Sequence, residues 1–248
     1  MTEMRKILVV TLEAGEAEFN ECVSAINVQK DVEIEHVVVS GLNERAAHSR
    51  LVSIWHKRSE EFHYLVKVDA DTILNSDTAL ASMSELMELE KASGLQFRLW
   101  DYFSQDLMPG LNMFSRGVHF KTKIPRLRPD QIDLEHTKVL KGSSVAHLEL
   151  IGWHGRNPLP KQSFFFGYHR WLKNQVPVLK RCFELWEKHA DDSRKWALVG
   201  ALTAHQKKFG KILFSSNRAM NSFERVEFRP PSNSQIQEFA NEEILSHD

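Results

Sequence analysis

The apolar positions of this chain fall first into three short runs separated by amphipathic stretches. Lys6 to Thr11 (KILVVT) is an unbroken apolar run rich in β-branched residues, the pattern of a strand covered on both faces. Glu13 to Gly15 then turns the chain, and Glu16 to Val28 spaces Phe19, Val23 and Ile26 as one helical face. Glu33 to Ser40 (EIEHVVVS) predicts a second strand that ends at Gly41. Asn43 can cap a helix running through Ala46, Leu51, Ile54 and Trp55. Phe62 to Leu74 (FHYLVKVDADTIL) predicts the third strand, and Ser76 a cap for a helix over Asp77 to Ala92 that Gly94 ends. Strands alternating with helices through short turns predict an α/β fold with a mostly parallel, doubly wound sheet.

The pattern then loosens. Gln96 to Phe103 predicts a further strand, Met108-Pro109-Gly110 a turn, and Leu111 to Arg116 a short strand or loop. Lys121 to Arg128 reads as a basic, proline-broken loop, and Val139 to Pro160 as largely irregular. Gln162 to Lys173 is aromatic-rich, while Val176 to Lys188 and Arg194 to Phe209 have helical periodicity. This later part predicts helices packed on the sheet rather than on a membrane surface, because its basic residues are mixed with Glu184, Glu187, Asp191 and Asp192. The expected organisation is a single domain over 1–229, with halves 1–94 and 95–160, a helical part 161–229 and a polar, mobile tail 230–248.

Composition narrows the classes. The 248 residues carry a formal net charge of −1, which is not the balance of a nucleic-acid binder. Cys22 and Cys182 lie far apart and outside any C-x-x-C pattern, as expected of thiols in a reducing compartment. The first residues lack the pattern of a secretory signal, and no apolar run reaches the roughly 18 residues of a spanning helix. A cytoplasmic protein is expected, with peripheral contact to the inner face of a membrane compatible with that.

The third run carries candidate chemistry. Asp69 and Asp71 are two residues apart at a strand end, so both carboxylates can aim at one point. Paired carboxylates suit a hard divalent cation such as Mg²⁺ or Mn²⁺, with substrate phosphates completing the coordination. The plainer alternative is two solvated acids opening a loop. In open α/β sheets ligands bind outside the carboxyl ends of the strands, where Thr11 and Glu13 also fall. Lys67 shares strand parity with Asp69 and can face the same point; Arg116 can bind phosphate, or form a surface ion pair.

The ordered set of segments resembles a family. ILVVT, EIEHVVVS and VDAD are similar to the nucleotide half of family 2-type glycosyltransferases with a GT-A fold. WDYF, GLNMFSR and PDQIDL resemble acceptor-side segments of bacterial members, and HGRNPLPKQSFFFGYHRWLK resembles an H-x-x-x-P-x-P-x-Q-[ST]-F-x-F-G-x-H-R segment of a bacterial subgroup. The resemblance covers roughly Lys6 to Lys208. It implies a GT-A-like enzyme that moves a sugar, with inversion, from a nucleotide-diphosphate sugar to a hydroxyl on a glycan or glycolipid, in bacterial surface polysaccharide or lipopolysaccharide assembly.

The resemblance also implies roles. Asp71 would bind Mn²⁺ or Mg²⁺, Asp69 the metal or the sugar side, and His154 would be a late third ligand, with a surface loop histidine as the alternative. Thr11, Glu13 and Ser40 would meet the nucleotide, although Ser40 and Gly41 stand where many members have an aspartate. Asp133 and Asp130 fit the position of the base that takes the acceptor proton, and Asp101 is a third choice that could instead orient the acceptor. Two rivals remain. A nucleotidyltransferase would show a Gly-rich basic loop after the first strand, which TLEAGEAEF does not provide; a binding or scaffold subunit would have a degenerate site.

Overall fold

The computed structural model describes residues 4–120, 139–140, 150–207 and 216–246. The loop expected at Lys121 to Arg128, the acids Asp130 and Asp133, and His147, the weaker competitor of His154 as a metal ligand, lie outside the described residues. The chain divides into two compact units, Met1–Asp101 with Asp106–Arg156, and Tyr102–Gln105 with Asn157–Asp248.

The first unit is an α/β sheet. In chain order it holds β1 (Lys6–Leu12), α1 (Phe19–Asn27), β2 (Glu33–Val39), α2 (Glu44–Arg58), β3 (Tyr64–Asp69), β4 (Thr72–Leu74), α3 (Ala79–Leu89), β5 (Gly94–Asp101), β6 (Asp106–Ser115), β7 (Val139–Leu140) and β8 (Leu150–His154). The strand order is β2-β1-β3-β6-β5-β8-β4, with β7 beside β5. β1, β2 and β3 are parallel, β6 is reversed between β3 and β5, and β8 runs parallel to β5 with β4 reversed on its far side. Six of the eight described strands therefore run one way, which makes the sheet mostly parallel as the alternation of strands and helices predicts.

Side-chain alternation builds two cores. Ile7 and Val9 of β1 and Val66 and Val68 of β3 pack with Cys22 and Ile26 of α1 and with Leu80, Met83 and Met87 of α3. Leu8, Val10 and Leu65 point to the other face, against Ala47, Leu51 and Trp55 of α2. Asn43 caps α2 as predicted: its side chain accepts a hydrogen bond from Ala46 N.

Three local expectations are corrected. Met108-Pro109-Gly110 is not a turn but lies within β6. Phe97 pairs with Leu111 and Arg98 with Pro109, so Gly110 is the extra residue of a bulge, where a strand tolerates proline. Gly94 opens β5 instead of capping α3. Within the segment read as irregular, Leu150–His154 is a strand paired on both sides.

The second unit is helical: α4 (Pro160–Leu172), α5 (Val176–His189), α6 (Asp192–Gln206), α7 (Ser216–Phe228) and α8 (Asn233–Phe239), followed by a π-type turn at Ala240–Ile244. α4 and α6 touch backbone to backbone. A Cβ on Gly167 would fall 1.7 Å from Ala197 O, and one on Gly200 would fall 2.0 Å from Phe164 O. The buried Arg194 donates from Nε to Phe103 O (3.0 Å) and from Nη1 to Asp191 Oδ2 (2.8 Å), with Tyr102 O also bonded. Residues 230–246, expected as a polar mobile tail, are instead capped by Ser232 and bury Ile236, Phe239, Ala240 and Ile244. Among the described residues, no helix is long and apolar enough to cross a membrane.

Candidate active site at the carboxyl ends of the strands

β3 delivers Asp69 at its last residue and the chain turns through Asp71 into β4. Because i and i+2 side chains share a strand face, Lys67 lies beside Asp69, and its Nζ is 2.7 Å from both carboxylate oxygens. Lys67 is buried, with 6% of its side chain exposed, whereas 47% of Asp69's is exposed. Burial pushes the Asp69 carboxyl up, but the Lys67 ammonium outweighs it and holds the group below the usual carboxylate range.

The three strands β5, β8 and β4 bring the other groups together. Asp101 and His154 are register partners on β5 and β8, and Thr72 partners His154 from β4. His154 Nδ1 is 2.8 Å from Asp101 Oδ1, and His154 Nε2 is 3.5 Å from Asp71 Oδ2. Gly155 adopts φ +62, a conformation glycine takes without strain, and its N–H donates to Asp71 O at 2.9 Å. The turn after His154 is thereby tied to the turn that carries Asp71.

The remaining sequence candidates separate clearly. Thr11 is fully buried, its hydroxyl 2.8 Å from His36 Nε2, so its side chain faces the sheet interior. Glu13 accepts a hydrogen bond from Gly15 N at 2.6 Å and shapes its own turn. Ser40 is exposed just beyond β2. Arg116 is not part of the site. It follows β6, which runs backwards, so it lands beside the start of β3, where its Nε donates to Phe62 O at 2.8 Å. A strand rises roughly 3.3 Å per residue, which leaves about 17 Å between that end of β3 and Asp69.

Glu16, in the turn after β1, feels the charges of Asp71 and Asp69, although it was not among the residues singled out from sequence. Burial, and then repulsion from Asp71 and Asp69, push its carboxyl up to about 7, against a stabilising hydrogen bond from Ala14 N. Its position just past the carboxyl end of β1 is the signal that could have found it. The folded chain thus keeps a proton that the unfolded chain has shed above the ordinary glutamate range. The stabilisation is present below about pH 4.5 and is lost as pH rises through about 7. Glu16→Gln, which keeps an oxygen for Ala14 N, should therefore be more stable than wild type at about pH 8. The gain should be on the order of 1–2 kcal/mol after solvent screening and should vanish near about pH 4. Urea titrations in EDTA across that range check this; a difference independent of pH would place Glu16 in ordinary solvent.

The fit to a divalent cation can be read from the donor set. Among the described residues, no three His, Cys, Asp or Glu side chains are grouped so as to hold a metal ion. Asp71 Oδ2 and His154 Nε2, at 3.5 Å, are close enough to share one small ion whose ligands sit about 2.1 Å away. Asp71 and His154 therefore fit two ligands of one small cation, with Asp69 engaged by Lys67.

No protein-family model matches the chain, and no curated protein matches it. Among solved structures it is similar to a mannosyltransferase from Pyrobaculum calidifontis in complex with GDP-Man and Mn²⁺. The identity there is 12% and the TM-score 0.41, over 100% of this chain and 89% of that one. It is also similar to a glycosyltransferase involved in the glycosylation of the major capsid of PBCV-1 (13% identity, TM-score 0.32, 44% of this chain). A third similar structure is A197 from STIV (9% identity, TM-score 0.33, 46% of this chain). The matches span 59% of the capsid glycosyltransferase and 65% of A197. Two of these three neighbours are glycosyltransferases.

Proposed function

We propose that this chain transfers a sugar from a nucleotide-diphosphate sugar to a hydroxyl acceptor with the help of a divalent cation. The observation that carries the reading is the convergence of Asp71, from the turn after β3, and His154, at the end of β8, at a spacing that one small cation can bridge. Asp71 and His154 would hold Mn²⁺ or Mg²⁺, and such a cation supplies neutralisation of the charge that grows on the departing diphosphate. Asp69, half exposed beside them, can accept hydrogen bonds from the sugar or ribose hydroxyls while Lys67 keeps it ionised. The turn after β1 would cover the nucleoside through Glu13 and Glu16, and Ser40 would border it from β2. Asp133 or Asp130 would take the acceptor proton, giving inversion. That assignment, like the family 2 membership and the setting in bacterial surface polysaccharide or lipopolysaccharide assembly, rests on the sequence resemblance alone.

Nucleotidyl transfer is disfavoured by charge. The segment from Glu13 to Glu21 carries four glutamates and no lysine or arginine, so it would repel a triphosphate where such enzymes cradle one. Thermal shift provides the test, since a ligand that binds the native state raises apparent stability. A nucleoside diphosphate should stabilise the chain more in Mn²⁺ than in EDTA, and Asp71→Ala should abolish that difference. Equal stabilisation with and without the metal would sink the cation reading, and no stabilisation by any nucleoside diphosphate would sink the transferase reading.

A further inference from the structure

We propose that Asp101 is a positioning residue that fixes the tautomer and aim of His154, and not the base that its place in WDYF suggests. The proposal rests on the reading that a cation sits between Asp71 and His154. Asp101 is the last residue of β5 and its side chain is 1% exposed, so it cannot reach an acceptor hydroxyl in solvent. Its strand partner across the β5–β8 ladder is His154 itself, and the carboxylate lies 2.8 Å from Nδ1. A carboxylate accepts only, so in a neutral imidazole the shared proton sits on Nδ1 and the lone pair on Nε2. Nε2 is the nitrogen that faces Asp71, at 3.5 Å. Carboxylates placed behind a ligating histidine in this way orient the ring and raise its basicity, and their loss typically costs about 10–100-fold in metal affinity.

The buried pair explains a feature that a base does not. An acid at this depth is costly unless it is hydrogen-bonded, and the parallel register supplies that bond by lining up the last residues of two neighbouring strands. The acceptor side of the reaction is thereby left to other acids, and β5 contributes to the donor side.

The test combines ring NMR with metal titration on the full chain. Selective ¹⁵N labelling of histidine, at about pH 8 without metal, should show the wild-type His154 ring protonated on Nδ1. Asp101→Ala and Asp101→Asn should mix the tautomers. Both should weaken Mn²⁺ binding in the presence of a nucleoside diphosphate by about 10–100-fold, and saturating Mn²⁺ should restore turnover, which loss of a base would not permit. A wild-type ring with no proton on Nδ1 would overturn the proposal even if neither variant folds. So would folded Asp101 variants with unchanged Mn²⁺ affinity when His154→Ala weakens it. If His154→Ala leaves Mn²⁺ affinity intact while Asp71→Ala removes it, the two-ligand reading fails and takes the role of Asp101 with it.

Discussion

Asp69→Ala should cost far more stability than Lys67→Met, although the two residues form one ion pair. Lys67 Nζ sits 2.7 Å from both Asp69 oxygens, but the two ends differ in their access to water. The lysine side chain is 6% exposed and the aspartate side chain 47%. Removing the aspartate takes this carboxylate away from a buried ammonium, a loss of up to about 3–5 kcal/mol when a buried pair is broken. Removing the lysine leaves a half-exposed carboxylate that water can solvate, and methionine refills the space of the lysine stem, so about 1 kcal/mol is expected. Urea denaturation of the two single variants at neutral pH checks the asymmetry, and Lys67→Met with Asp69→Asn should recover most of the loss. Equal or reversed losses would mean that water or another group stabilises the ammonium once Asp69 is gone. Acid should erase the difference. The carboxyl is held low, so the stability it contributes is present above the ordinary aspartate range and is lost as pH falls through its depressed value.

The strands that carry these residues were legible because their physics is local. KILVVT and YLVKVD are buried on both faces and read as apolar runs, and alternation with helices predicts that Asp69 ends a parallel strand. What stayed hidden depended on pairing between distant segments. The reversal of β6 takes Arg116 to the far end of β3, and nothing local to LNMFSR signals which way it runs. LIGWH looks irregular because of Gly152, yet it becomes a strand by lying between β5 and β4, and that places His154 opposite Asp101. The helix over Asn233–Phe239 did leave a trace: Ser232 and Gln235 form a capping box, and Ile236, Phe239, Ala240 and Ile244 repeat at helical spacing. The surrounding polar residues outweighed it.

Gly152→Ala should damage the site without touching any of its side chains. A Cβ there would lie 2.3 Å from Ile73 O, 3.1 Å from Ile73 C and 3.2 Å from Leu74 Cα. These are backbone atoms of β4 and cannot rotate aside, so β4 must move off β8. Asp71 immediately precedes β4 and His154 ends β8, so that movement opens the 3.5 Å gap between Asp71 Oδ2 and His154 Nε2. A shift of about 1 Å in a positioned pair can cost on the order of 10²-fold in turnover, and overpacking costs about 1–3 kcal/mol in stability. The expected result is a folded but less stable chain whose Mn²⁺-dependent affinity for a nucleoside diphosphate falls by about tenfold or more. Gly110→Ala is the control within the same unit. Its Cβ would lie 2.5 Å from Leu99 Cδ1, a side-chain and not a backbone atom, so the strain falls on core packing and Mn²⁺-dependent affinity should stay at the wild-type level. Calorimetric titration of both variants in Mn²⁺ and in EDTA separates the cases. Wild-type affinity in folded Gly152→Ala would mean that the closeness of β4 and β8 does not set the distance between Asp71 and His154.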